Sequence, residues 1–596
     1  MQRLHASLGR TPFPPAGPPA RRAPVRGRSL RGIAIAGSLA LTAVVTPASL
    51  AAASTPHVPG HVVDAQDAAL AFDPASYTPI TVTIDGQPVN LRYYKEICYV
   101  ADPVAAAPQQ PGLGGTTTIQ NTRCGYESMN VFVPESAFGD QRAPIYFAVN
   151  NGGWMASYIR PSITEGASYS SATSNVGAAL KAGYVLVDVA NRSRGLVGAD
   201  GSSPGKAPAA AVDAKAAVRY LRLNDAAMPG SAERIVVNGT SGGGALASIL
   251  GASGNDREYD PYLAAIGAAG IDAAGRSTLR DDVFAVDAYC PITDLGNADT
   301  AYEWLYTVLG TRDATGQNPQ PADAATIAAK FAAYENGLGL RNPDGSPLTA
   351  ATMLDTIKKE VVRSAETYLR ADPARTIPAL GEDFVITSPG PGGGTTTSYV
   401  NDWLDVDNAA DTVRAVDMTN YLKFVATQQA LKTTPAFDAV GVHGNTTSGT
   451  ETNLFGPSTR TYMNYTEFGW DHNDVAGDGS GLDDTGLTWK QYTARKSTTV
   501  DDQVHLIDPM DFIGSTAADT APNWYVRAGT RDRDTSFTVS INLDRALAAD
   551  PQVRDVNYQL AWNQPHAGNY DVPEAMAWIA KVVGKAGNPP AAGNLP

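Results

Sequence analysis

Cysteine is scarce in this chain of 596 residues: there are three, too few for a disulfide-framework mini-domain or a zinc ribbon built on four thiolates. Histidine is nearly as rare, at seven, so candidate bases can be taken one at a time. Basic residues are outnumbered, 45 against 60 acidic, for a formal net charge of −15. That balance speaks against nucleic acid or an anionic membrane surface as the main partner, because phosphate binding needs a basic footprint. No stretch reaches 18 consecutive apolar residues, so no membrane span is expected in the mature chain. What the chain has in quantity is hydrophobic residues, 43 %, ample for large cores and incompatible with a disordered or fibrous protein.

The charge is unevenly spread. Residues 1–31 carry seven arginines and no acid, and a short apolar stretch from Ile33 to Val45 precedes Ala-Ser-Leu-Ala-Ala-Ala at 48–53. A basic region, a short apolar region and small residues at a cleavage site are the parts of a secretory signal, here 1–53. The Arg21-Arg22 pair is reminiscent of twin-arginine export, but no Phe-Leu follows it. Removal of the leader leaves an extracellular chain of net charge about −22. In an oxidising compartment Cys98 and Cys124 could pair, while Cys290, after an apolar run, reads as a buried packing residue; three pairings remain open.

From about 78 to 292 strand and helix signals alternate. Ile80–Asp85 and Met129–Val133 alternate like half-buried strands, and 144–149, 184–189 and 234–238 read as short buried ones. Asn175–Ala182 and Ala207–Leu223 have helical spacing. Such βαβ units predict an α/β fold with a doubly wound, mostly parallel sheet covered on both faces. The stretch 293–520 reads differently, with helices expected at Ala322–Glu335 and Ala350–Arg370 among loops such as Ser388–Thr397. After 521 the alternation resumes: strand 523–527, helix Val539–Ala548, strand Asn557–Ala561, helix Pro573–Val583. The expected organisation is an α/β-hydrolase core in two parts, 54–292 and 521–588, a large inserted lid or substrate-recognition domain at 293–520, and a tail at 589–596.

Gly239-Thr-Ser241-Gly-Gly243 matches G-x-S-x-G, directly after Ile235-Val-Val-Asn and before the helix-forming run Ala245–Leu250. A nucleophile elbow demands this strand–turn–helix setting, since a serine on a sharp turn needs small neighbours two residues either side. Gly242 supplies an N–H at the start of the following helix, where partial positive charge favours an oxyanion. A Gly-rich helix start is the plainer alternative. A second donor is expected from Asn150-Asn151-Gly152-Gly153-Trp154, where Gly152 and Gly153 allow backbone N–H groups to approach a developing negative oxygen.

The base must follow the nucleophile in chain order Ser, acid, His. His5 lies in the leader, His57 and His61 near the mature N-terminus, and His443, His472 and His505 within the insertion. His566 alone follows a late strand and precedes the last helix. The acid belongs in the turn after 523–527, where Asp532 is favoured over Asp534 to fix the imidazole tautomer. Ser241, His566 and Asp532 together imply acyl transfer through an acyl-enzyme. Asp471, Asn473, Asp474, Asp478, Asp483 and Asp484 are rich in oxygen ligands but miss the calcium-loop spacing and read as a solvated acidic loop. Neither a metal nor another cofactor is expected.

The chain resembles the bacterial tannases, the extracellular tannin acyl hydrolases of α/β-hydrolase type. The likeness is carried by Val237-Asn-Gly-Thr-Ser-Gly-Gly-Gly-Ala-Leu, Gly254-Asn, Tyr262-Leu, Tyr289-Cys-Pro-Ile-Thr-Asp-Leu and Ala301-Tyr-Glu-Trp. It continues in Lys432-Thr-Thr-Pro-Ala-Phe-Asp, Glu451-Thr-Asn-Leu-Phe-Gly, Arg531-Asp-Arg-Asp-Thr and Pro565-His-Ala-Gly-Asn-Tyr-Asp, so it spans about 140 to 580 in order. The resemblance implies hydrolysis of small galloyl esters by Ser241, Asp532 and His566, with Lys432, Glu451 and Asp534 gripping the gallate hydroxyls. Gly242 stands where relatives often carry Ala. By themselves Lys432 and Glu451 read as surface charges. A feruloyl or chlorogenate esterase would share the triad without the three-point grip. A prolyl-oligopeptidase-like peptidase would share it behind an N-terminal propeller, for which only about 90 residues are at hand. A catalytically dead binding protein would have no reason to keep all three triad positions.

Overall fold

In the computed structural model the described residues are 61–585 without 113–114, 389–393, 447–449, 478 and 496–498. The chain divides into Met1–Ala52 and Ala53–Pro596, and everything described belongs to the second unit. The expected signal segment and the tail 589–596 lie outside the described residues, as do His5, His57 and Asp478.

Ten strands form one sheet: β1 Thr78–Ile84, β2 Gln87–Cys98, β3 Ser128–Pro134, β4 Ile145–Val149, β5 Ser168–Tyr169, β6 Val185–Val189, β7 Ile235–Thr240, β8 Ala285–Tyr289, β9 Asn523–Gly529 and β10 Asp555–Ala561. Their spatial order is β10-β9-β8-β7-β4-β6-β3-β2-β1-β5. Pairing is parallel from β10 through to β6, then antiparallel at β6–β3, β3–β2 and β2–β1. The inner parallel strands β4 and β6–β9 are buried on both faces and so are rich in apolar residues, while the edge strand β10 alternates polar with apolar ones. Their period of two sorts residues between two cores. Ile145, Phe147, Val149, Val286, Val526 and Ala528 pack on one face; Tyr146, Tyr289 and Tyr525 pack on the other. Helices α1 Asn175–Lys181 and α7 Val572–Lys585 cover the second face, while α2 Ala209–Leu223 and α3 Gly242–Ala252 cover the first.

Between β8 and β9 the chain leaves the sheet. There α4 Leu295–Thr307, α5 Met353–Arg370, α6 Met418–Gln428 and shorter helices alternate with two hairpins, 383–400 and 404–416. The α5 stripe of Met353, Ile357, Val361, Ala365 and Leu369 is fully buried, as i, i+4 spacing predicts. Apolar side chains of this segment, such as Tyr302, Leu305 and Phe437, join the same cluster as the first sheet face.

Two expectations are corrected here. Ala322–Glu335 is two helices, Pro321–Ala328 and Phe331–Gly337; the break lets buried Phe331 stack on Trp304 at 4.0 Å. Part of the expected loop Ser388–Thr397 is strand, because the β-branched run Thr395–Val400 pairs with Asp383–Ser388. Cys98, at the end of β2, is disulfide-bonded to Cys124, and Cys290 is free and buried. Among the described residues no helix is long and apolar enough to cross a membrane.

Candidate active site

The residues of chemical interest sit at the carboxyl ends of adjacent parallel strands, where successive loops converge on one edge of the sheet. Ser241 follows β7 with φ 62° and ψ −124°, a left-handed conformation that costs a non-glycine residue strain. The sharp turn is closed by Ser241 N–H donating to the Tyr289 carbonyl at 2.9 Å. A methyl group at Gly239 would strike the Gly243 carbonyl, and one at Gly242 would strike the Trp154 amide. Glycine at 242 therefore lets the 151–154 turn pack directly against the serine turn.

His566 and Asp532 reach Ser241 from β10 and β9. The His566 Nε2 lies 2.8 Å from Ser241 Oγ, and its Nδ1 lies 2.9 Å from Asp532 Oδ2. Asp532 Oδ1 accepts the Asp534 N–H at 2.8 Å. Asp532, not Asp534, thus meets the imidazole; the Asp534 carboxylate pairs with Arg533 at 2.9 Å. The His566 loop is pinned at its far end by Asp571, which accepts Tyr289 Oη at 2.6 Å, Tyr525 Oη at 2.7 Å and Arg527 Nε at 3.1 Å. Burial works against the His566 imidazolium, but the adjoining Asp532 carboxylate outweighs it and pushes the pKa up. Burial likewise opposes the Asp532 carboxylate, and His566 holds its pKa below the ordinary value. The other described histidines are engaged elsewhere: His61 with Asp67, His443 with Asp323, His472 with the Phe468 carbonyl, His505 with Glu258 and Asp511.

Of the three expected oxyanion donors, Gly152 gives its N–H to the Asn150 carbonyl at 2.9 Å. Its amide is therefore spent within the turn, which corrects the expectation for Gly152. Gly153 has φ 57° and ψ 29°. Asn151 Nδ2 fixes the turn by donating to Met155 O at 2.9 Å and Asn191 Oδ1 at 2.5 Å.

Lys432, Glu451 and Asp534 are separated in sequence but tied to these same loops. Tyr302 Oη donates to the Arg533 carbonyl and accepts the Lys432 N–H, both at 2.9 Å. Arg312, which donates two hydrogen bonds to the Glu303 carboxylate, also donates to the Lys432 carbonyl at 3.1 Å. Asp299 accepts the N–H groups of Ala436, Phe437 and Asp438. Asp299, Tyr302 and Glu303 share one face of α4, so a single helix face clamps residues 432–438. The Lys432 ammonium then lies 3.8 Å from the Phe437 ring centroid. Glu451 is 5 % exposed, with the Arg194 guanidinium 3.9 Å away. Arg194 also donates to Gly153 O at 2.5 Å and Thr450 O at 2.9 Å, joining the Gly152–Trp154 turn to the Glu451 turn. Sequence reading missed Arg194, Tyr302, Glu303 and Asp299. The i, i+3, i+4 polar spacing on α4 could have flagged three of them; nothing local marks Arg194.

The acidic loop near 471–484 turns its carboxylates onto the backbone. Asp471 accepts the Trp489 N–H, Asp474 the Gly444 N–H and Asp484 the Gly477 N–H.

An open, mostly parallel sheet with a strained serine turn at a strand end, crossed by a histidine loop, defines an α/β-hydrolase. The BD-FAE family model, of that type, matches residues 129–307, from β3 to the end of α4. No curated protein matches in sequence. Among solved structures the chain is similar to the Fusobacterium nucleatum tannase (29 % identity, TM-score 0.66) and to tannin acyl hydrolase from Lactobacillus plantarum (28 %, TM-score 0.64). It is also similar to a tannin acyl hydrolase in complex with ethyl gallate (28 %, TM-score 0.63). In each case 86 % of this chain and 99 % of the other are covered. The likeness to bacterial tannases thus runs through sheet and insertion alike, and the chain is a tannase-like carboxylic ester hydrolase.

Proposed function

We propose that this chain is a secreted tannase, cleaving galloyl esters to gallic acid, and that 293–520 is its lid and recognition domain. The observation that carries the reading is the unbroken hydrogen-bond relay from Ser241 through His566 to Asp532, 2.8 and 2.9 Å long. Ser241 Oγ attacks the ester carbonyl while His566 Nε2 takes its proton; Asp532 keeps the opposite ring nitrogen protonated and stabilises the imidazolium. The N–H groups of Gly153 and Gly242 receive the oxyanion. His566 then protonates the departing alcohol, and water repeats the sequence to free the acid.

Galloyl preference follows from chemistry around the turn. Three adjacent phenol hydroxyls leaving water each cost several kcal/mol unless paired. Lys432, Glu451 and Asp534 offer a cation and two carboxylates for that pairing, tethered to the reacting loops by Tyr302 and Arg194. Two similar structures carry ethyl gallate and 3,4-dihydroxybenzoate, which supports a phenolic acyl pocket.

The test is gallic acid release from methyl gallate by wild type and Ser241→Ala, with methyl ferulate alongside. Release abolished in the variant, with ferulate untouched, is the expected result. Ferulate turnover without gallate turnover would keep the triad and reject the galloyl reading. Secretion is tested by locating the protein in culture medium with 1–53 removed.

A further inference from the structure

Cys290 has no part in the acyl-transfer reaction, yet it stands beside the two groups that prepare the base. Its thiol donates to the Ala567 carbonyl at 3.2 Å, one residue past His566. One ligand atom each from Cys290, Asp532 and His566 falls within 4.8 Å of the others. These side chains come from the ends of β8, β9 and β10, neighbours in the sheet, so the backbone ladder fixes their convergence. We propose that Cys290, Asp532 and His566 form an inhibitory site for a soft divalent cation such as Zn²⁺ or Cd²⁺.

The donor set supports this. One sulfur, one imidazole nitrogen and one carboxylate oxygen suit zinc-like ions, which bind such groups at roughly 2.0–2.3 Å. Adjustments of about an ångström would bring the three atoms onto one ion. A dication with a thiolate and a carboxylate sums to zero charge, which a buried position tolerates far better than a lone ion. Entry runs past His566, whose side chain is 16 % exposed where that of Asp532 is 1 % exposed.

The inhibitory consequence rests on the reading of His566 as the base. Binding releases the thiol proton to solvent and forms a metal–sulfur bond. The ion displaces the proton from Nδ1, the nitrogen beside Asp532 Oδ2, to solvent and binds the freed lone pair, so the one proton that neutral imidazole keeps must sit on Nε2. That nitrogen faces Ser241 Oγ at 2.8 Å; carrying the proton, it can donate but not accept. The serine keeps its hydrogen and attack stops. Dissociation of the ion restores the working tautomer.

The experiment titrates purified enzyme with CdCl₂ and follows hydrolysis of p-nitrophenyl acetate, because gallate itself chelates metals. The thiolate-to-cadmium charge-transfer band in the ultraviolet is read in the same samples. Since Cys98 and Cys124 are disulfide-bonded, Cys290 is the one thiol that can give the band. Wild type should gain the band at one equivalent and lose hydrolysis in step, both reversed by EDTA. Cys290→Ser and Cys290→Ala should hydrolyse the ester, show no band and need at least about tenfold more Cd²⁺ for the same inhibition. Equal sensitivity in both variants, or inhibition of wild type without the band, overturns the site. A band with undiminished hydrolysis overturns the inhibitory role and points away from His566 as the base. If the wild type is inactive before metal is added, the esterase reading fails, and the presence or absence of the band still decides the site.

Discussion

The sheet end and the 293–520 segment hold their side chains by different means. Ser241, Asp532 and His566 each lie within a few residues of a parallel strand, so ladder register alone brings them together. Lys432 and Glu451 lie far from any strand of the sheet; they are held by side chains that cross between segments, Tyr302 and Arg312 for the first, Arg194 for the second. Backbone-fixed groups should be all-or-nothing in their effects, and side-chain-tethered groups graded and substrate-dependent.

The largest expected effect sharpens the first half of that contrast. Asp532→Asn should lower kcat by about ten thousandfold on galloyl and simple acyl esters alike, because the amide stabilises the wrong imidazole tautomer. An equal loss in Asp534→Asn would reverse the assignment of the acid. Next comes Arg194→Ala, expected to cost about tenfold to a hundredfold in kcat/KM. It should lower kcat on every ester through the Gly153 turn and raise KM on gallates alone through Glu451. If Arg194→Lys restores both, charge suffices and the guanidinium's fork is unnecessary.

Of similar size, but selective for one acyl group, is Glu451→Gln. Losing a charged hydrogen bond is worth about 1.5–3 kcal/mol, so methyl gallate should lose about tenfold to a hundredfold in kcat/KM while methyl benzoate is unchanged. A loss on methyl benzoate would mean that Glu451 acts through the oxyanion turn instead. The mildest test is pH. The proposed mechanism needs neutral His566, whose pKa is pushed above the ordinary imidazole value of about 6.5. The acid limb of kcat/KM should therefore lie above that value, rising with pH. An acid limb at or below it would show that Asp532 and His566 are less tightly coupled in solution.

The same contrast explains what could be read without coordinates. β4, β6, β7 and β9 were legible because strands buried on both faces are apolar runs, β10 because Tyr558 and Leu560 alternate with polar neighbours, and Ser241 because steric demand leaves a glycine signature. Asp532 stood out from Asp534 only by its distance from the turn glycine. Gly152 was misjudged, since no local pattern tells which amide a turn spends on itself. The long strand β2 was not recognised, and a helix break at Phe331 depended on Trp304, a contact distant in sequence. Arg194 reads as one more arginine in a loop; its meaning lies in carbonyls 41 and 256 residues away.

Arg194 also bears on how such an enzyme could be altered. Because one guanidinium joins the Gly153 turn to the turn that carries Glu451, the proposed function makes acyl-group choice and reaction speed interdependent. A recognition segment transplanted from another esterase would have to present a carbonyl where Thr450 does. Without it, the graft would acquire a new pocket and slacken the machinery beneath it.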